Sequence, residues 1–102
     1  MKLSTIHTSH GRVISIETDE HLDLRAEGVF RHACQLAEDP DLGAIEVNLE
    51  KTRRIRGSGV AMLNMLRERT SLEKNPIRLV NCSPEIRRQL LTCNVGRQFH
   101  VT

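Results

Sequence analysis

The 102-residue sequence predicts one α/β domain with a mostly parallel sheet. Three observations carry this expectation. Two short β-branched runs at the start read as a hairpin, and the runs after them alternate between strand-like and helix-like periods. The three prolines, Pro40, Pro76 and Pro84, fall where elements begin or end. The expected order is β-β-α-β-α-β-α-β.

Residues 2–8 and 12–17 flank His10-Gly11, with Val13, Ile14 and Ile16 in the second run. Next, Ala26, Val29, Phe30, Ala33, Cys34 and Ala37 form one apolar helical stripe with Arg25, Arg31, Glu38 and Asp39 off it. Asp23 is placed to cap its start, and Asp39-Pro40 to end it. Ile45, Val47 and Leu49 share one face of a strand over 43–49. A polar loop, Glu50 to Gly57, leads to Ser58 and a second helix carrying Val60, Met62, Leu63, Met65 and Leu66 to about Thr70. Pro76 to Cys82 reads as a central strand. Ser83-Pro84-Glu85 is a helix start, a hydroxyl cap followed by proline at the first helical position. That helix carries Ile86, Leu90 and Cys93, and Asn94-Val95-Gly96 ends it. Residues 98–101 are expected as a short last strand.

Composition excludes several functions. Fifteen Lys/Arg against thirteen Asp/Glu leave a net charge of +2, and there is no Trp, no Tyr and only two Phe. Neither the charge nor a stacking platform for nucleic acid is present. No apolar run is long enough to span a membrane, and the first residues lack a signal-peptide core. Cys34, Cys82 and Cys93 are odd in number and far apart, which fits reduced thiols in a cytoplasmic protein.

One segment stands apart from packing: Thr52-Arg53-Arg54-Ile55-Arg56-Gly57-Ser58-Gly59, between a strand and a helix. Ser58 sits where an N-cap belongs, close to free backbone N–H groups and the positive helix end. A phosphate on Ser58 would be stabilised there, with arginines nearby for charge-assisted contacts. The plain alternative is that Ser58 only caps the helix. Lys51, Arg53, Arg54 and Arg56 suit an acidic partner surface, a nucleotide phosphate or an anionic lipid; equally, they form a solvated loop. The glycines and serine match neither a Walker A loop nor a nucleophile elbow.

This arrangement, with Ile77-Arg78-Leu79-Val80-Asn81-Cys82-Ser83-Pro84-Glu85-Ile86-Arg87-Arg88-Gln89-Leu90-Leu91 and the late Val95-Gly96-Arg97-Gln98-Phe99, resembles the STAS domain family of anti-sigma factor antagonists and their relatives. The likeness runs from about residue 12 to 101. It implies a single layer of mixed, mostly parallel β-sheet with helices packed chiefly on one face. It also implies a serine phosphorylated by a kinase partner at the head of the second helix, and a phosphorylation-dependent choice of protein partner. In the family a strand of the V-x-L-D-L type leads to D-S-S-G or D-S-x-G. Here Asn48 replaces the strand's Asp, and Arg56 or Gly57, depending on alignment, replaces the Asp before the serine.

The expectation is therefore a non-enzymatic signalling adaptor that binds an anti-sigma factor, serine kinase or phosphatase. Ser58 is its candidate phosphorylation site, and Arg53, Arg54, Arg56, Gly57, Ser58, Gly59 and Met62 are its candidate contacts. Met62 and Met65 are read either as an adaptable binding surface or as core. No cofactor or metal is expected, since His7 and His10 lack a third ligand. The competing expectation is a constitutive STAS scaffold in a larger complex, such as a lipid-transport ABC assembly or a stressosome-like particle, without phospho-switching.

Overall fold

The computed structural model describes residues 1–70, 77–93 and 99–102. Strand β1 (Lys2–Thr8) pairs antiparallel with β2 (Gly11–Glu17) across Ser9-His10. Strands β4 (Leu42–Asn48), β6 (Ile77–Val80) and β7 (His100–Val101) follow in parallel, giving the sheet order β1-β2-β4-β6-β7. Two further strands, β3 (His21–Leu22) and β5 (Arg54–Ile55), make a separate parallel ladder. The helices are α1 (Glu27–Leu36), α2 (Gly57–Glu68) and α3 (Pro84–Thr92). The expected architecture is present, with β3 and β5 as additions. The expected stop at Asn94-Val95-Gly96 lies outside the described residues. Among the described residues, no helix is long and apolar enough to cross a membrane.

Strand addition decides where the helices go. Each parallel step, β2 to β4 to β6 to β7, moves one place in the same direction. Right-handed crossovers taken in one direction lay every connecting helix on the same face of a sheet. Burial follows that rule. Ile14 and Ile16 of β2, Ile45 and Val47 of β4, and Ile77 and Leu79 of β6 are buried and aligned by register. They meet Phe30 and Ala33 of α1, Leu63 and Leu66 of α2, and Ile86 and Leu90 of α3 in one core. Burying each of the larger side chains contributes about 1.5–3 kcal/mol. The alternate residues, Ser15, Glu46 and Arg78 among them, face the uncovered side.

The start of β4 is pressed against the hairpin turn. Gly11 has φ +107, and a Cβ there would lie 2.5 Å from the Asp41 carbonyl oxygen. A Cβ on Gly43 would lie 2.5 Å from the His10 carbonyl oxygen. Only paired glycines allow this approach. The β2–β4 register shifts beside it, between Arg12 and Val13.

Asp23 does cap, but what it caps is a 3-10 turn, Leu24–Ala26, that runs into α1. Its Oδ1 accepts the Arg25 backbone N–H at 3.0 Å, and Arg25 Nη2 donates to Oδ2 at 3.0 Å. Helix α1 ends at Leu36, before Asp39-Pro40. Ser83 caps α3 as expected, its hydroxyl accepting the Ile86 N–H at 3.2 Å.

The Arg25 side chain, and then its backbone N–H, hold the Asp23 carboxyl below its ordinary 3.8. A carboxylate depressed on folding stabilises the fold above its unfolded pKa, and this is lost as pH falls through the folded value. Asp23→Ala is expected to lower the urea midpoint at neutral pH. The gap from wild type should close as pH drops below about 3.8, read by urea titrations followed by circular dichroism.

Candidate functional site

The segment from Glu50 to Gly59 is held by a seam of bonds to the chain between β2 and α1. Arg53 N–H and Arg54 N–H donate to the Glu20 carbonyl at 2.8 and 3.2 Å, and Arg56 N–H donates to the Leu22 carbonyl at 2.9 Å. Below them two hydroxyls are fully enclosed. Thr18 is 0% and Thr52 2% exposed. The two hydroxyl oxygens are in contact, with Thr52 Oγ1 2.7 Å from the Asp19 carbonyl oxygen and Thr18 Oγ1 3.1 Å from the Asn48 carbonyl oxygen, so two hydroxyl protons are shared among three contacts. From the other side Gln89 of α3 donates its Nε2 to the Ile55 carbonyl. The segment expected as a polar loop is thus a clamped structure with Ile55 in the core.

This seam sets the start of α2 and corrects the expected cap. Arg56, not Ser58, is the N-cap residue, with extended backbone (φ −82, ψ 167) and no side-chain cap bond. Ser58 is the second residue inside the helix and is half-buried. The cause lies one residue further on. A Cβ on Gly59 would sit 2.2 Å from the Leu22 carbonyl oxygen and 2.9 Å from its carbon. Backbone contact at Gly59, together with the Arg56–Leu22 bond, docks the first turn on β3 and pulls Gly57 and Ser58 into helical conformation. Gly57 is exposed, with nothing within 4 Å of a Cβ placed there.

The cations divide into two kinds. Lys51 Nζ lies 2.7 Å from Glu17 Oε1. That contact lowers the Glu17 carboxyl and raises the Lys51 ammonium from their ordinary values. Arg53, Arg54 and Arg56 are exposed and pair with no acid among the described residues. Asn48, where the resemblance would place an acid, has a structural role instead. Its Oδ1 accepts the Glu50 N–H at 3.0 Å and Asn81 Nδ2 at 3.1 Å, and Asn81 adopts φ 57.

Met62 does not share this surface. It is 8% exposed and belongs to the core, one turn into α2, while Met65 is half-buried against the core. Gly59 is buried as well, so the solvent-facing set is Arg53, Arg54, Arg56, Gly57 and part of Ser58. Sequence reasoning missed Thr18 and Thr52. The available signal was a threonine at each end of the two turns that β3 and β5 bring together.

The structure is thus a small mixed sheet covered by helices on one face, with a glycine-serine helix start clamped at one end. No protein-family model matches the chain. Over all 102 residues, and all of its relative's length, it is 26% identical to a curated STAS-domain containing protein of Pseudomonas aeruginosa (strain UCBPP-PA14). An anti-sigma factor antagonist from Mycobacterium paratuberculosis superimposes with a TM-score of 0.72 at 14% identity, over 98% of this chain and 83% of that one. The Bacillus cell fate determinant SpoIIAA, in its phosphorylated form, gives 0.65 at 18% identity, over 99% and 91%. The chain has the STAS-domain fold.

The two glycines separate by substitution. Gly59→Ala forces Cβ into the Leu22 carbonyl and should destabilise the fold by about 1–3 kcal/mol. Gly57→Ala, which meets nothing, should be neutral or stabilise by up to about 1 kcal/mol through the unfolded chain. Urea unfolding midpoints distinguish them. In the same assay Thr52→Val should destabilise by about 1–3 kcal/mol, because it strips buried partners from Thr18 and the Asp19 carbonyl.

Proposed function

We propose that this protein is a non-enzymatic, single-domain cytoplasmic signalling adaptor of the anti-sigma factor antagonist type. It holds a regulatory protein partner, an anti-sigma factor, serine kinase or phosphatase, through the surface formed by Arg53, Arg54, Arg56, Gly57 and Ser58. Phosphorylation of Ser58 controls that contact. The observation carrying this reading is the place of Ser58 in the first turn of α2, shortly after three exposed arginines that pair with no described acid.

The chemistry follows from charge. The first N–H groups of a helix have no intrahelical acceptor, and α2 has no side-chain cap. A phosphate on Ser58 would add about −1.5 to −2 charges at that positive end, within the reach of guanidinium groups. Gly59 is wedged on the Leu22 carbonyl, so the first turn has no freedom to rearrange. The modification therefore acts by inverting surface charge rather than by moving the backbone. An acidic partner surface suited to the bare arginines would be repelled by the phosphorylated form. The SpoIIAA structure described as phosphorylated shares this fold and supports the reading.

A second reading is a constitutive scaffold, favoured by the absence of a carboxylate from Arg56-Gly57-Ser58. The two part in one experiment. Tagged wild type, Ser58→Ala and Ser58→Asp are recovered from the native cell and compared for bound proteins, with mass spectrometry of Ser58. The switch predicts phosphate on a fraction of Ser58 and at least about tenfold less partner on Ser58→Asp than on Ser58→Ala. Equal retention with Ser58 always unmodified makes the protein a scaffold.

A further inference from the structure

Strand β1 forms one end of the sheet and is seven residues long. Its pairing with β2 shows which of its backbone groups face outward. The Arg12 N–H donates across to Asp41 at 2.8 Å and the Thr18 N–H to Asn48 at 3.1 Å, so the even-numbered positions of β2 point toward β4. Odd-numbered positions of β2 therefore bond to β1, where they oppose Lys2, Ser4, Ile6 and Thr8. In an antiparallel pair the intervening residues direct their N–H and C=O away from the partner strand. Those residues are Leu3, Thr5 and His7, and no described residue pairs with them along that edge.

Free edges of this length are normally blunted by proline, a bulge or inward charge. Strand β1 has none of these, its one lysine, Lys2, stands at the first position of the strand, and its register with β2 is continuous from Lys2 to Thr8. It also carries Ile6, 57% exposed, on the sheet face that no helix covers. There Ile6 sits opposite Val13, which sits beside Ala44, so an apolar strip runs across the open face and stops at the edge.

We propose that this edge pairs with β1 of a second copy of the chain, antiparallel about a two-fold axis at Thr5. The register is self-complementary. Thr5 meets Thr5 and Leu3 meets His7, so every outward backbone group finds a partner, with two bonds in each of three pairs. Ser4 then opposes Ile6, and the two Ile6 side chains become diagonal neighbours on the open face, within reach of each other. Lys2, the single formal charge in the strand apart from histidine, lies opposite Thr8, so no like charges meet. The two apolar strips join across the axis, which selects a second copy over an unrelated extended peptide. This contact is independent of Ser58 and its arginines.

The test is sedimentation of the full chain from about 10 µM to 1 mM, the range for a small strand-edge contact. Wild type should shift toward twice the monomer mass, with amide exchange at Leu3, Thr5 and His7 slowing as concentration rises. Thr5→Pro removes an outward N–H without touching the β1–β2 ladder, a placement proline tolerates at an edge. Ile6→Lys sets two like charges side by side. Each should weaken self-association at least about tenfold. A monomer at every concentration, or a dimer that both variants preserve, overturns the proposal. So does a dimer lost in Ile6→Lys alone with those three amides unprotected, which would assign it to the open face.

Discussion

Handedness of the crossover connection is the constraint on which this fold depends. Because β4, β6 and β7 are each added on the same side of their predecessor, a single rule of chirality sends all the connecting helices to one layer. The strands must then be apolar on one face only, and they are: Ile45 and Val47 are buried while Glu46 between them faces the other way. The same constraint leaves the C-terminal ends of the parallel strands and the starts of the following helices at one end of the molecule. The clamped segment from Glu50 to Gly59 lies at that end because it links β4 to α2.

The larger elements were legible because their periods are long enough to average over. Helix α1 presents Phe30, Ala33 and Cys34 on one stripe, and α3 announces itself by Ser83-Pro84. Strands β3 and β5 were not legible, since two residues cannot show alternation, and each contributes a single buried side chain, Leu22 or Ile55. The Ser58 cap was misplaced for a related reason. Local preference puts serine at the cap, but a contact 37 positions away in sequence, Gly59 on Leu22, shifts the helix start two residues earlier. Met62 followed the ordinary fate of an apolar residue at helical spacing, and only the exposed part of the candidate surface remains a docking face.

Electrostatically the segment is asymmetric. Lys51 is matched by Glu17, Asp23 by Arg25 and Arg12 by Asp39, at 2.7, 3.0 and 3.2 Å. Arg53, Arg54 and Arg56 have no such partner among the described residues. A modest overall charge of +2 therefore conceals a local concentration of positive field at the end of the molecule that carries Ser58. Surface ion pairs contribute little to stability, whereas unmatched charges steer encounters. The arginines are better understood through association rate than through fold stability.

The bonds that clamp the arginine segment tie its shape to distant parts of the chain. Apart from Glu50 N–H on Asn48 Oδ1 and Thr52 N–H on the Leu49 carbonyl, its anchors come from Glu17, Thr18, Asp19, Glu20 and Leu22 upstream and Gln89 downstream. None of these is a sequence neighbour, so the segment keeps its shape only while the rest of the fold holds Asp19, Glu20, Leu22 and Gln89 in place. The end of the molecule that carries Ser58 is thus held in shape by distant parts of the chain, a surface whose existence itself reports that the rest of the chain is folded.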